Sequence, residues 1–140
     1  MLALVVCTVQ GLVGAHVVML QDDYTYAMAR VIQEHTRESE KLVMEGGDLT
    51  GELLVLANRN GLSVYDLKPL EDPATYERLK SLGFTKVIMV SESPLVAAVR
   101  RSTRIHLDLH RLTYHSAETP TVERLPTVLQ NEDILIKELR

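Results

Sequence analysis

The chain has 140 residues, 46% hydrophobic and 24% charged, a balance that supports a buried core and excludes the disordered and fibrous classes. A formal net charge of -4 denies nucleic acid a general electrostatic grip, which draws on clustered Lys and Arg, so nucleic acid is not expected as a partner. The single cysteine, Cys7, excludes an intrachain disulfide and fits a reducing, cytoplasmic setting.

In chain order, Leu2 to Val9 is a continuous apolar run rich in valine, as expected of a strand covered on both faces. Met1 to Leu20 carries no charge, yet Thr8, Gln10, Gly11, Gly14 and His16 interrupt it, and no positive flank precedes it. Neither a membrane span nor a signal peptide is therefore expected. Ala15 to Leu20 fits a second strand or an early helical turn.

Asp22 and Asp23 offer N-caps to a helix whose buried face is predicted to hold Tyr24, Ala27, Met28, Val31, Ile32 and His35. Lys41 to Glu45 reads as a short strand, and Gly46-Gly47-Asp48 as a turn that caps the next helix. From Glu52 to Asp66 two readings compete. Asn58-Arg59-Asn60-Gly61 can close a hairpin, or a helix can stop at Gly61 in the left-handed position and give way to an inner strand from Leu62 to Leu67. The order glycine, apolar, hydroxyl recurs 22 residues on, in Gly61-Leu62-Ser63 and Gly83-Phe84-Thr85, which favours two helix, glycine, strand units.

Asp72-Pro73 and Ser93-Pro94 each place a capping side chain before a proline, the signature of a helix start. Between them Val87 to Val90 is an unbroken apolar strand predicted at the sheet centre. Ile105, Leu107 and Leu109 alternate with His106, Asp108 and His110, so an edge strand is expected near 104–114. Pro120 and Pro126 mark an irregular connection, and Asn131 to Arg140 is read as a C-terminal helix. The whole, 1–140, is predicted as one α/β domain, complete or cut from a longer protein: three layers, Rossmann-like or flavodoxin-like, with a mostly parallel sheet.

In such sheets ligands bind outside the carboxyl ends of the strands. That rule, with a glycine turn that admits close backbone approach and a helix start, makes Gly46, Gly47, Thr50, Ser91 and Ser93 the candidate site for an anionic small molecule. A plain tight turn capped by Ser93 explains the same residues, and Asp48 counts against a phosphate. No mononucleotide or dinucleotide fingerprint is present, and no cofactor is indicated. His106, Asp108 and His110 would share one face of an extended strand and are the candidate metal ligands, but a single ion reaches two of them more easily than three and a solvent-facing edge explains the pattern without a metal, so no metal is expected.

Asp66-Leu67-Lys68 at a strand end, with Glu52 before it, resembles the acidic-x-Lys signature of restriction-endonuclease-like nucleases. The resemblance implies a hairpin presenting carboxylates to a divalent ion, and hence a metal-dependent hydrolase using Glu52, Asp66 and Lys68. Leu54 stands where the second metal-binding acid is expected. A third expectation is a homodimer formed through the uncharged N-terminal run or the C-terminal helix.

Overall fold

A computed structural model describes residues 23–46, 50–91, 119–131 and 133–139. The expected strand at Leu2 to Val9, the helix after Ser93 and the edge strand near 104–114 lie outside the described residues. Among those described, helices α1 (residues 23–35), α2 (Thr50–Leu56), α3 (Pro73–Ser81) and α4 (Pro120–Glu123) surround strands β1 (Lys41–Glu45), β2 (Asn60–Val64), β3 (Phe84–Val90), β4 (Thr127–Gln130) and β5 (Ile134–Glu138). A short 3-10 turn, Lys68–Glu71, precedes α3.

The strands form one mixed sheet in the order β2-β1-β3-β5-β4. Its core is parallel, since β1 pairs in that sense with β2 on one side and β3 on the other. β5 then runs antiparallel to β3, and β4 antiparallel to β5. The apolar runs of β1 and β3 are covered on both faces. Leu42 and Met44 join Ile88, Val90, Ile134 and Ile136 beneath α1 and α2. Val43, Val87 and Met89 join Leu139, Leu67, Leu70 and Val122 on the opposite face, where Tyr76 and Leu79 of α3 pack. Thus α2 and α3, the two connections that leave and return across β1, cover opposite faces, as right-handed crossovers in opposite directions require.

Three expectations need correction. On α1 the buried stripe is Thr25, Met28, Ala29, Ile32 and Thr36, while Tyr24 and Val31 lie at its margin and Ala27 is exposed. The stripe was hidden because two of its members are threonines; Thr36 is tolerated there because its hydroxyl donates to Ile32 O at 2.6 Å.

The second concerns Gly61. Parallel pairing of β1 with β2 removes the hairpin and upholds the helix-to-strand reading, but the helix stops earlier. Asn58, at φ 52, is the left-handed residue; its N–H donates to Val55 O at 3.0 Å and that of Arg59 to Leu54 O at 2.9 Å. These two bonds close a Schellman-type end on an asparagine. Gly61 lies inside β2 opposite Leu42, and β2 is an exposed edge of the described sheet, not an inner strand. Gly83, at φ 84, does end α3 in the expected way, with its N–H on Lys80 O at 2.9 Å.

Third, Asn131 to Arg140 does not form a helix: Ile134–Glu138 is strand β5, placed between β3 and β4. The Asn131 side chain accepts from Asp133 N at 2.9 Å and Ile134 N at 2.8 Å, which turns the chain into a hairpin with β4. Two isoleucines in three residues then suit the pleated surface. Among the described residues no helix is long and apolar enough to cross a membrane.

Candidate functional site

The strand order places a topological switch point at β1. The chain leaves it to form β2 on one side and returns to form β3 on the other, so a crevice is expected outside the carboxyl ends of β1 and β3. Gly46 follows β1 there and Ser91 follows β3.

Gly46 has φ +155, and a Cβ at this position would stand 3.0 Å from Thr50 Cγ2 and 3.1 Å from Val90 O. Only glycine lets the backbone leave β1 this close to the last carbonyl of β3. Thr50, at the start of α2, is fully buried, and its hydroxyl is hydrogen-bonded to the Ser63 hydroxyl of β2. Ser91 turns toward the β4–β5 hairpin: its N–H and hydroxyl both donate to Asp133 O, at 2.8 and 3.1 Å. Its own carbonyl accepts from the Tyr24 hydroxyl at 3.0 Å. Burial raises the Tyr24 pKa; the Ser91 hydrogen bond opposes that shift and the Asp133 charge adds to it.

The structure therefore brings Gly46, Thr50 and Ser91 of the predicted set to one rim, and adds Tyr24, Ser63 and Asp133, which no sequence signal connected with them. Gly47, Asp48 and Ser93 lie outside the described residues, as do His106, Asp108 and His110. Glu52 is exposed in the first turn of α2, and Asp66 is exposed beyond β2, accepting from Lys68 N at 2.8 Å. The antiparallel ribbon that the nuclease resemblance needs is replaced here by a helix and a parallel strand. Among the described residues no three His, Cys, Asp or Glu side chains are grouped to hold a metal ion.

At the other end of α2 an open groove of about 390 Å³ is lined by Glu38, Leu54, Val55, Asn58, Arg59 and Asn60. Its one cation is committed. The five N–H groups of Arg59 donate to Thr36 Oγ1 at 2.8 Å, Thr36 O at 2.8 Å, Gln33 O at 3.1 Å, Ala57 O at 3.1 Å and Asn58 O at 3.1 Å. Arg59 thus ties the C-terminal ends of α1 and α2 together and has no donor left for an anion.

The described residues define a mixed α/β protein with helices on both faces of a five-stranded sheet. No family model, no curated protein and no solved structure matches the chain.

Proposed function

We propose that this is a ligand-binding α/β domain that takes a small anionic molecule in the crevice outside the carboxyl ends of β1 and β3. The observation that carries the reading is the placement of Gly46 at the switch point, where a glycine is required by the close packing of Thr50 and Val90 and the residue itself is exposed. The Gly46 and Thr50 corner would take the anionic group. The Ser91 corner, under the negative potential of Asp133, would take a hydroxyl or N–H donor of the same molecule. Thr50 and Ser91 already hold internal partners, so they act mainly by fixing the shape of the rim.

Thermal unfolding in inorganic phosphate, a nucleoside monophosphate and a short dicarboxylate tests this. At about a hundredfold excess over Kd, a ligand of the native state stabilises by about 2.7 kcal/mol. At least one of these anions is expected to raise the midpoint, and Thr50→Val, which removes the hydroxyl that ties the rim to Ser63, is expected to weaken that response. No rise with any of them up to tens of millimolar refutes the proposal.

A further inference from the structure

β1 is flanked by a parallel neighbour on each side, and its last residue before the Gly46 turn is a glutamate. Glu45 is only 7% exposed. Its side chain leaves the sheet on the face of Val43, opposite that of Leu42 and Met44. Its neighbours in the ladder are Val64 of β2 and Met89 of β3, both part of the apolar packing on that face. Acids are almost never buried to this degree, and a carboxyl between two apolar side chains costs free energy that a valine or leucine there avoids. Buried acids of this kind concentrate at functional sites. Glu45 has an interaction of its own, but a carboxylate offers about four acceptor positions, and a ligand needs only one of them.

The topology gives this acid a use. β1 is the strand at the switch point, so Glu45 and Gly46 stand together at the base of the crevice outside the carboxyl ends of β1 and β3. Thr50 begins α2, which covers the face of Leu42 and Met44, whereas Glu45 leaves β1 on the other face. The end of β1 thus has a hydroxyl on one side and an acid on the other. Among the described residues of this rim, Glu45 and Asp133 are acids, and none of Tyr24, Gly46, Thr50 and Ser91 is a cation. A ligand negative at both ends would meet like charge with no fixed positive charge to offset it. One whose second end is an ammonium would meet opposite charge there.

We propose that Glu45 determines the specificity of the crevice, which takes a zwitterion: its anionic group at the Gly46 and Thr50 corner, its ammonium at Glu45. This builds on the anion site of the ligand-binding reading and adds the charge at the ligand's second end. No bond is made or broken.

4-Aminobutyrate and glutarate share one methylene spacer and differ in the second end group, ammonium against carboxylate. Unfolding midpoints of the whole protein titrated with each, at one ionic strength, give the two affinities. 4-Aminobutyrate is expected to bind about tenfold more tightly, the size of one charge-assisted hydrogen bond. Glu45→Gln, its fold checked by circular dichroism, is expected to abolish that preference. Glu45→Asp, which keeps the charge, should retain part of it, and Glu77→Gln on the exposed side of α3 should leave it unchanged. A purely structural Glu45 would alter stability without moving the ratio of the two affinities. Equal affinities, tighter binding of glutarate, or a preference that survives Glu45→Gln overturns the specificity role and leaves the anion site standing. No rise with 4-aminobutyrate, glutarate or any of the anions named above removes both.

Discussion

Arg59 is the side chain whose removal the structure lets one weigh most directly. It follows the left-handed Asn58, and its guanidinium reaches carbonyls at the ends of two helices, where four oxygens of each helix lack intrahelical partners. Three of its acceptors, Thr36 Oγ1, Thr36 O and Ala57 O, are partly buried; Gln33 O and Asn58 O are exposed, and water can replace the arginine on them. At about 1 kcal/mol for each partly buried bond, with a smaller term for losing a cation near two helix C-termini, Arg59→Met is expected to destabilise by about 3 kcal/mol. Arg59→Lys keeps the charge, but one ammonium cannot span both helix ends, and a loss of about 2 kcal/mol is expected. Urea unfolding followed by far-UV circular dichroism should show a lower midpoint with an unchanged slope. The melting temperature should fall by about 10 °C for the methionine variant. If both variants stay within about 0.5 kcal/mol of the parent, the bonds drawn by Arg59 do not hold α1 and α2 together.

Two glycines give a contrasting pair. A Cβ at Gly61 would lie 2.6 Å from Leu42 O and 2.8 Å from Leu54 Cδ2, so Gly61→Ala should destabilise by about 2 kcal/mol, and adding Leu54→Ala should not restore stability because the Leu42 carbonyl remains. Nothing lies within 4 Å of a Cβ at Gly51 in α2, so Gly51→Ala should stabilise by about 0.5 kcal/mol; both are read from urea midpoints. Asp72 caps α3 and accepts from the Thr75 hydroxyl at 2.7 Å, Thr75 N at 3.0 Å and Ala74 N at 3.3 Å, which hold its pKa below the ordinary carboxylate value. A carboxyl depressed in the folded state contributes stability above its unfolded pKa and loses it as pH falls through the folded one. The deficit of Asp72→Ala relative to the parent should therefore be constant near neutrality and shrink in acid; a deficit that grows on acidification contradicts the cap.

How much of this could be read from sequence depended on whether the physical cause was local. The strands at Lys41–Glu45 and Val87 to Val90 were legible because burial on both faces leaves an unbroken apolar run, and the start of α3 because Asp72 and Pro73 act on their own turn. β5 was not. Ile134, Leu135 and Leu139 suit a helix as well as a strand, and Lys137 reads as a solvent-facing residue. Yet Lys137 is buried, and its amine is met by Glu123 O at 3.0 Å, Leu125 O at 3.2 Å and Thr127 Oγ1 at 3.4 Å, partners supplied by the end of α4, the turn after it and the first residue of β4. The rim shows the same divide. The convergence of Gly46, Thr50 and Ser91 follows from topology, whereas the commitment of their hydroxyls to Ser63 and Asp133 depends on residues 13 and 42 positions away.

The repeated words Gly61-Leu62-Ser63 and Gly83-Phe84-Thr85 carry this furthest, because the two glycines are required for different reasons. Gly83 is needed for its own dihedral angle, a property of three consecutive residues. Gly61 is needed for space, since α2 lies so close over β2 that Leu54 and the Leu42 carbonyl occupy the volume of a side chain. That closeness is possible because Asn58 takes the left-handed turn two residues before the strand begins and Arg59 satisfies the helix end it leaves behind. With the turn complete by Asn58, the Asn60-Gly61 pair is released from turning the chain and becomes the uncharged opening of an edge strand. The segment that most resembles a hairpin signal thus forms an edge of the described sheet, beside the parallel partner β1.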